Sequence, residues 1–123
     1  MGEATAMSFL LVAAGGALGS MGRYGVSLLA MAWLGAAFPW GTLAVNVLGS
    51  GAIGVLAGQG ISGGARLFWV TGVLGGFTTF SAFSLEAALL WERAAWQGVA
   101  YVLASLGLGL AAFAMGWWLA RMG

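Results

Sequence analysis

Residues 75–84 read Gly75, Gly76, Phe77, Thr78, Thr79, Phe80, Ser81, Ala82, Phe83, Ser84, and they lie inside a long apolar stretch of the chain. A membrane helix is expected to break here. In hydrocarbon every backbone N–H and C=O needs a partner, so irregular backbone at that depth persists only where protein buries it or where it lines a cavity or ion site. Two glycines permit unusual backbone angles, and two threonines offer oxygen ligands or satisfy freed carbonyls. Carbonyls released upstream of the break suit a hard monovalent cation held by backbone alone, with Gly75 and Thr78 as the candidates. Downstream, a restarting helix presents free N–H groups and the positive end of its dipole beside Phe80 and Phe83, whose ring edges carry partial positive charge. That environment favours a small anion. The plainer reading of the two phenylalanines is packing.

Other polar residues sit in apolar surroundings. Asn46, the sole asparagine, lies near the middle of an apolar segment, one turn beyond Thr42. It reads equally as an interhelical hydrogen-bonding residue and as an N–H donor to a passing anion. Tyr101 and Ser105, again one turn apart, form a second short row of hydroxyls, although membrane serines often bond back to their own helix. Arg23 and Glu86 are charges that a span does not carry without reason, since each costs about 2.5–3.5 kcal/mol at a helix centre on insertion scales. Arg23 could concentrate anions at a mouth, and Glu86 falls near the face of Phe83. The alternative for both is snorkelling to the interface.

These residues need spans to position them. With 123 residues, 62% hydrophobic and 6% charged, and a mean hydropathy of +1.01, the chain departs far from a soluble domain. It reads as an all-α integral membrane protein with one domain over residues 1–123. Four crossings are expected: roughly Met7 to Leu34, Trp40 to Ala57, Arg66 to Leu90 with the break near 75–81, and Gly98 to Leu119. The first stretch reads as mature structure, because it is longer than a signal's apolar core and contains Arg23. The absence of Cys and His removes thiolate and imidazole chemistry, and the carboxylates Glu3, Glu86 and Glu92 are scattered. An enzyme is therefore not expected, and neither is a nucleic-acid partner.

Orientation signals are nearly balanced: Arg66 and Arg121 fall on one side and Arg93 on the other, so the chain could insert both ways up. Small residues recur at four-residue spacing, as in Asn46, Ser50, Gly54 and Gly58, Gly15 with Gly19, and Gly72 with Gly76. This is first a packing signal. Four short helices make a thin monomer, and a polar path shielded from lipid is most simply completed by a homodimer.

Gly15, Gly16, Ala17, Leu18 and Gly19 leading to Arg23 and Tyr24, then Gly41, Thr42, Leu43, Val45, Asn46 and Gly49, then Gly75 through Phe83, resemble in order the signature segments of the Fluc/CrcB fluoride channels. The resemblance implies a bacterial inner-membrane channel, built as an antiparallel dual-topology homodimer, that lets fluoride leave the cell passively. It implies pore-lining roles for Asn46, Phe80 and Phe83, a central structural sodium ion on the Gly75 and Thr78 carbonyls, and a polar track of Thr42, Tyr101 and Ser105. Arg23 and Glu86 match charges near the vestibules. Two positions depart from the pattern: Ala82 stands where threonine is usual, and Gly109 where serine can continue the track.

The main rival is a small four-helix proton-coupled multidrug exporter of similar length and hydropathy. It would need a membrane carboxylate in the first span, where this chain carries Arg23. A scaffold without transport would explain the glycine faces but would leave Asn46 and the broken helix without a purpose.

Overall fold

The computed structural model describes residues 2–123 as helices joined by short turns. Helix α1 (Glu3–Leu34) is 32 residues long, with Glu3 in its first turn, where an acidic side chain complements the helix dipole. It stops at Gly35, whose φ of 81° lies in the left-handed region that glycine enters without a Cβ penalty. Pro39 then precedes α2 (Trp40–Gly58). Gly60, at φ 78°, turns the chain into the third span.

The third span, Gly63–Arg93, is divided. Its first half, α3 (residues 63–77), contains a π-helical stretch, Leu67–Leu74, between short α-helical ends. Its second half is α4 (Phe80–Arg93). A single extended residue, Ala94 at φ −160°, separates α4 from α5 (Ala95–Met122). Four helical spans are thus long and apolar enough to cross a membrane; the second ends one residue beyond its expected bound and the other three run a few residues longer than expected.

The break is narrower than the sequence suggests. Thr78 (φ −88°, ψ 158°) and Thr79 (φ −150°, ψ 122°) are extended, whereas Gly75 stays helical at φ −62° and α4 starts at Phe80. Neither Gly75 nor Gly76 adopts a positive φ. The conformational freedom of these glycines therefore does not make the break. Gly76 serves close approach instead, because a Cβ there would come within 2.6 Å of the Gly16 carbonyl oxygen on α1.

Helices pack mainly as α1 on α3 and α2 on α5, with α4 also against α5. The small residues set both seams. On the first, a Cβ at Gly72 would sit 2.9 Å from Gly15 Cα, and on the second a Cβ at Gly58 would sit 2.8 Å from the Trp117 carbonyl oxygen. Backbones meet where lipid provides no hydrophobic drive for association. Of the hydrophobic side chains described, only Val45, Leu90 and Tyr101 are buried within the subunit. Most of the apolar surface therefore faces outward, as a chain of four spans in lipid requires.

Candidate functional site: a clamped helix break and a shared carboxylate

Two side chains from other helices grip the break. Asn46 Nδ2 donates to the Thr79 carbonyl at 3.0 Å, and the Thr79 N–H donates to Asn46 Oδ1 at 2.8 Å, so the amide pairs with both polar groups of one residue. Arg23 Nε donates to the Gly76 carbonyl at 3.0 Å. This cation lies at the C-terminal end of α3, where the dipole favours positive charge. Thr78 Oγ1 bonds back to the Leu74 carbonyl at 2.9 Å, and Thr79 caps α4 by accepting the Ala82 N–H at 3.1 Å.

These bonds redirect particular donors. In a continuous helix the Thr79 N–H would reach the Gly75 carbonyl, and the Ala82 N–H would reach that of Thr78. Both go elsewhere, to Asn46 Oδ1 and to Thr79 Oγ1. The two candidate cation-binding carbonyls lose their helical donors in this way, and both residues line an open hollow of about 300 Å³ together with Asn46, Ser50, Thr79 and Phe80. Oxygen-only ligands of this kind suit a hard cation.

A second cluster forms around Glu86. Thr42 Oγ1 donates to Glu86 Oε1 at 2.9 Å and Tyr101 OH donates to Oε2 at 3.0 Å, so both hydroxyls expected in a polar track converge on one carboxylate. Thr42 is buried and Tyr101 is fully so. Ser105 Oγ, one turn on, is buried and has no hydrogen-bond partner. A buried hydroxyl left without a partner is uncommon and calls for one from outside the single chain.

Aromatic rings connect the two clusters. Phe80 and Phe83 lie 5.7 Å apart between centroids, and Phe83 lies 5.2 Å from Tyr101. Phe80 is 78% exposed on the surface of the single chain, next to the hollow. The structure thus groups Asn46, Gly75, Thr78 and Phe80 at one place and Thr42, Glu86 and Tyr101 at another, with Phe83 between them and Arg23 bonded to the break through the Gly76 carbonyl.

Two features escape the sequence reading. Thr79 is at once Asn46's partner and the cap of α4; a threonine preceding a restarting helix is a cap signal. The convergence of Thr42 and Tyr101 on Glu86 joins positions 44 and 15 residues from it, which no local pattern reveals. At the departing positions, Ala82 contributes its N–H to the cap, and a Cβ at Gly109 would lie 3.6 Å from Ser50 Oγ, an ordinary contact.

A short four-span membrane protein with an interrupted third helix, clamped from two sides, is the class this architecture defines. The chain belongs to the family described as CrcB-like protein, Camphor Resistance (CrcB), whose match covers residues 10–117. It is similar to a protein named fluoride-specific ion channel FluC from Rhizobium meliloti (strain 1021), at 56% identity over 109 residues, 84% of this chain and 87% of the relative. A protein of the same name from Hyphomonas neptunium is 51% identical over 120 residues, 92% of this chain and 94% of its own length.

Proposed function

We propose that the protein is a fluoride-selective channel through which fluoride leaves the cytoplasm passively, in the bacterial inner membrane. Relatives named as fluoride-specific ion channels match 84% and 92% of the chain. The observation that carries the reading is the helix break, where Asn46 and the Thr79 hydroxyl take the N–H groups that would otherwise bond the Gly75 and Thr78 carbonyls, beside Phe80.

The proposed path runs past Asn46, between Phe80 and Phe83, and along Thr42, Tyr101 and Ser105. Ring edges can receive an anion partly stripped of water, and hydroxyls then replace lost hydration. With both Asn46 groups on Thr79, its part in the path is chiefly to hold the restart of α4, leaving one amide N–H for the anion. Fluoride approaching Tyr101 and Thr42 meets donors already bonded to Glu86. Passage there is an exchange of one anion for another, which requires the carboxylate to release a hydroxyl. Arg23 and Glu86 lie toward the two mouths in this reading.

The protein acts as an antiparallel, dual-topology homodimer. A hollow lined by Asn46, Ser50 and Thr79 is costly against lipid, and a second copy would cover it. The carbonyls of Gly75 and Thr78 from both copies would hold a central sodium ion, whose bound charge would fix the break electrostatically. A passive channel explains why no chemistry of an enzyme is needed.

Purified protein in liposomes, loaded with fluoride or chloride and followed with ion-selective electrodes, tests the function. Rapid fluoride release with retained chloride is expected. Equal release of both, or of neither, overturns the reading.

A further inference from the structure

The bend between α1 and α2, residues 35–39, lies beside the corner between α4 and α5. Arg93, in the last turn of α4, reaches across to it: Nη1 donates to the Ala37 carbonyl at 2.9 Å while Nη2 donates to Gln97 Oε1 at 3.3 Å. Among the described residues, this is the hydrogen bond that ties the bend to that corner; the others at the bend stay within it or run to α1 and α2. The Ala37 carbonyl belongs to the peptide plane that leads into Phe38. Phe38 in turn sets its ring edge-on to Tyr101, with centroids 5.4 Å apart and planes at 89°. Tyr101 is thereby held between Phe38 on one side and Phe83 on the other while its hydroxyl bonds Glu86.

We propose that Arg93 is a positioning residue for conduction, a tether that holds Phe38 against Tyr101 and so fixes the Tyr101 hydroxyl on the fluoride path. The inference rests on the channel reading above. Space for the untethered alternative exists: a hollow of about 370 Å³, lined among others by Phe38, Glu86 and Arg93, lies between the bend and α4. A bend released from Arg93 can move into it and withdraw Phe38 from the Tyr101 ring. Gly35, at φ 81°, and Pro39 shape the bend but make no bond across this hollow. Arg93 does so from the C-terminal end of α4, where its charge is favoured by the helix dipole.

The test is a cycle of fluoride efflux from liposomes with wild type, Arg93→Gln, Phe38→Leu and the double variant, each checked for dimer content. Arg93→Gln should slow efflux roughly three- to tenfold, the range set by one displaced aromatic pair. In the Phe38→Leu background the same change should alter efflux by less than about twofold, because the tether then has nothing to position. Efflux is also measured at about 0.05 M and about 0.5 M of an impermeant salt, over which a charge acting at a distance is screened. A tether keeps the ratio of wild type to Arg93→Gln constant. An unaffected Arg93→Gln, additive losses, or a ratio that falls toward one at high salt overturns the proposal, and the salt arm decides alone if Phe38→Leu does not form dimers. Absence of fluoride efflux from the wild type would instead sink the channel reading itself.

Discussion

Asn46 does for Thr79 what neighbouring peptides would do in an unbroken helix, accepting its N–H and donating to its carbonyl. Asn46→Ala strands both groups, each at about 1–3 kcal/mol if no water replaces the amide. Thermal unfolding in detergent should therefore move to lower temperature as fluoride flux is lost; flux lost at unchanged stability would mean that Asn46 acts on the ion alone. Phe80→Ile and Phe83→Ile keep apolar volume but remove the ring quadrupole, and each should sharply lower flux in a dimer of normal yield. Near-normal flux in both would relegate the rings to packing. The residue types were legible in the sequence because buried polar atoms in an apolar span are expensive, which singles out Asn46, Glu86 and Arg23. Their partners were not, since Asn46 and Thr79 are 33 residues apart and meet only through the rotation of two packed helices.

At the scale of elements, span length and apolarity made the four crossings readable, and the threonine pair marks where the third is interrupted. The glycines beside that pair suggested conformational freedom, whereas their helical angles show that they serve contact with α1. Sequence spacing could not separate these uses, because a glycine favours both. The same ambiguity can be tested in α2 and α5. At Gly54 an added methyl meets the Phe113 backbone, and at Gly116 it meets the backbone of Gly51 and Val55, whereas at Gly109 it has room within the subunit. Gly54→Ala and Gly116→Ala should each cost about 1–3 kcal/mol, seen as reduced thermal stability, and Gly109→Ala should cost much less. Equal losses at all three would show that position 109 is closed by something outside the single chain.

For the whole molecule, the interrupted backbone at Thr78 and Thr79 and the side chains of Asn46 and Ser50 open into one hollow, and polar groups there are unsuited to lipid. Dual topology follows from the nearly balanced arginines in the proposed assembly, and a tag at the C-terminus should be accessible from both sides of the membrane. Adding lysines at one end should drive a single orientation and, with it, a loss of fluoride resistance in cells. Resistance kept by a chain of uniform sidedness would rule out the antiparallel arrangement. Oligomeric state was the least legible level in the sequence, because the same small-residue spacing marks seams within a subunit and between subunits alike.

The π-helical stretch Leu67–Leu74 means that α3 carries more residues per turn than an α-helix of equal length. Such a stretch behaves as an α-helix with a residue inserted, so it is the place in this span where a one-residue deletion has a ready structural outcome. Deletion of Val70 would let the stretch relax to α geometry. The extra residue would be lost within the stretch, so the Gly63 end would keep roughly its present register relative to the break, without the shift of about 1.5 Å that the same deletion would cause in a regular α-helix. Gly72 and Gly76 lie on the break side of the deletion and could keep their seats on α1, and Phe68, whose carbonyl abuts Gly15, could stay beside that helix as well. Length variation among chains of this build should accordingly be tolerated ahead of Gly72 and excluded between Gly72 and Phe83, where Gly72, Val73, Gly76 and Phe77 meet α1 and Thr78 and Thr79 meet α2.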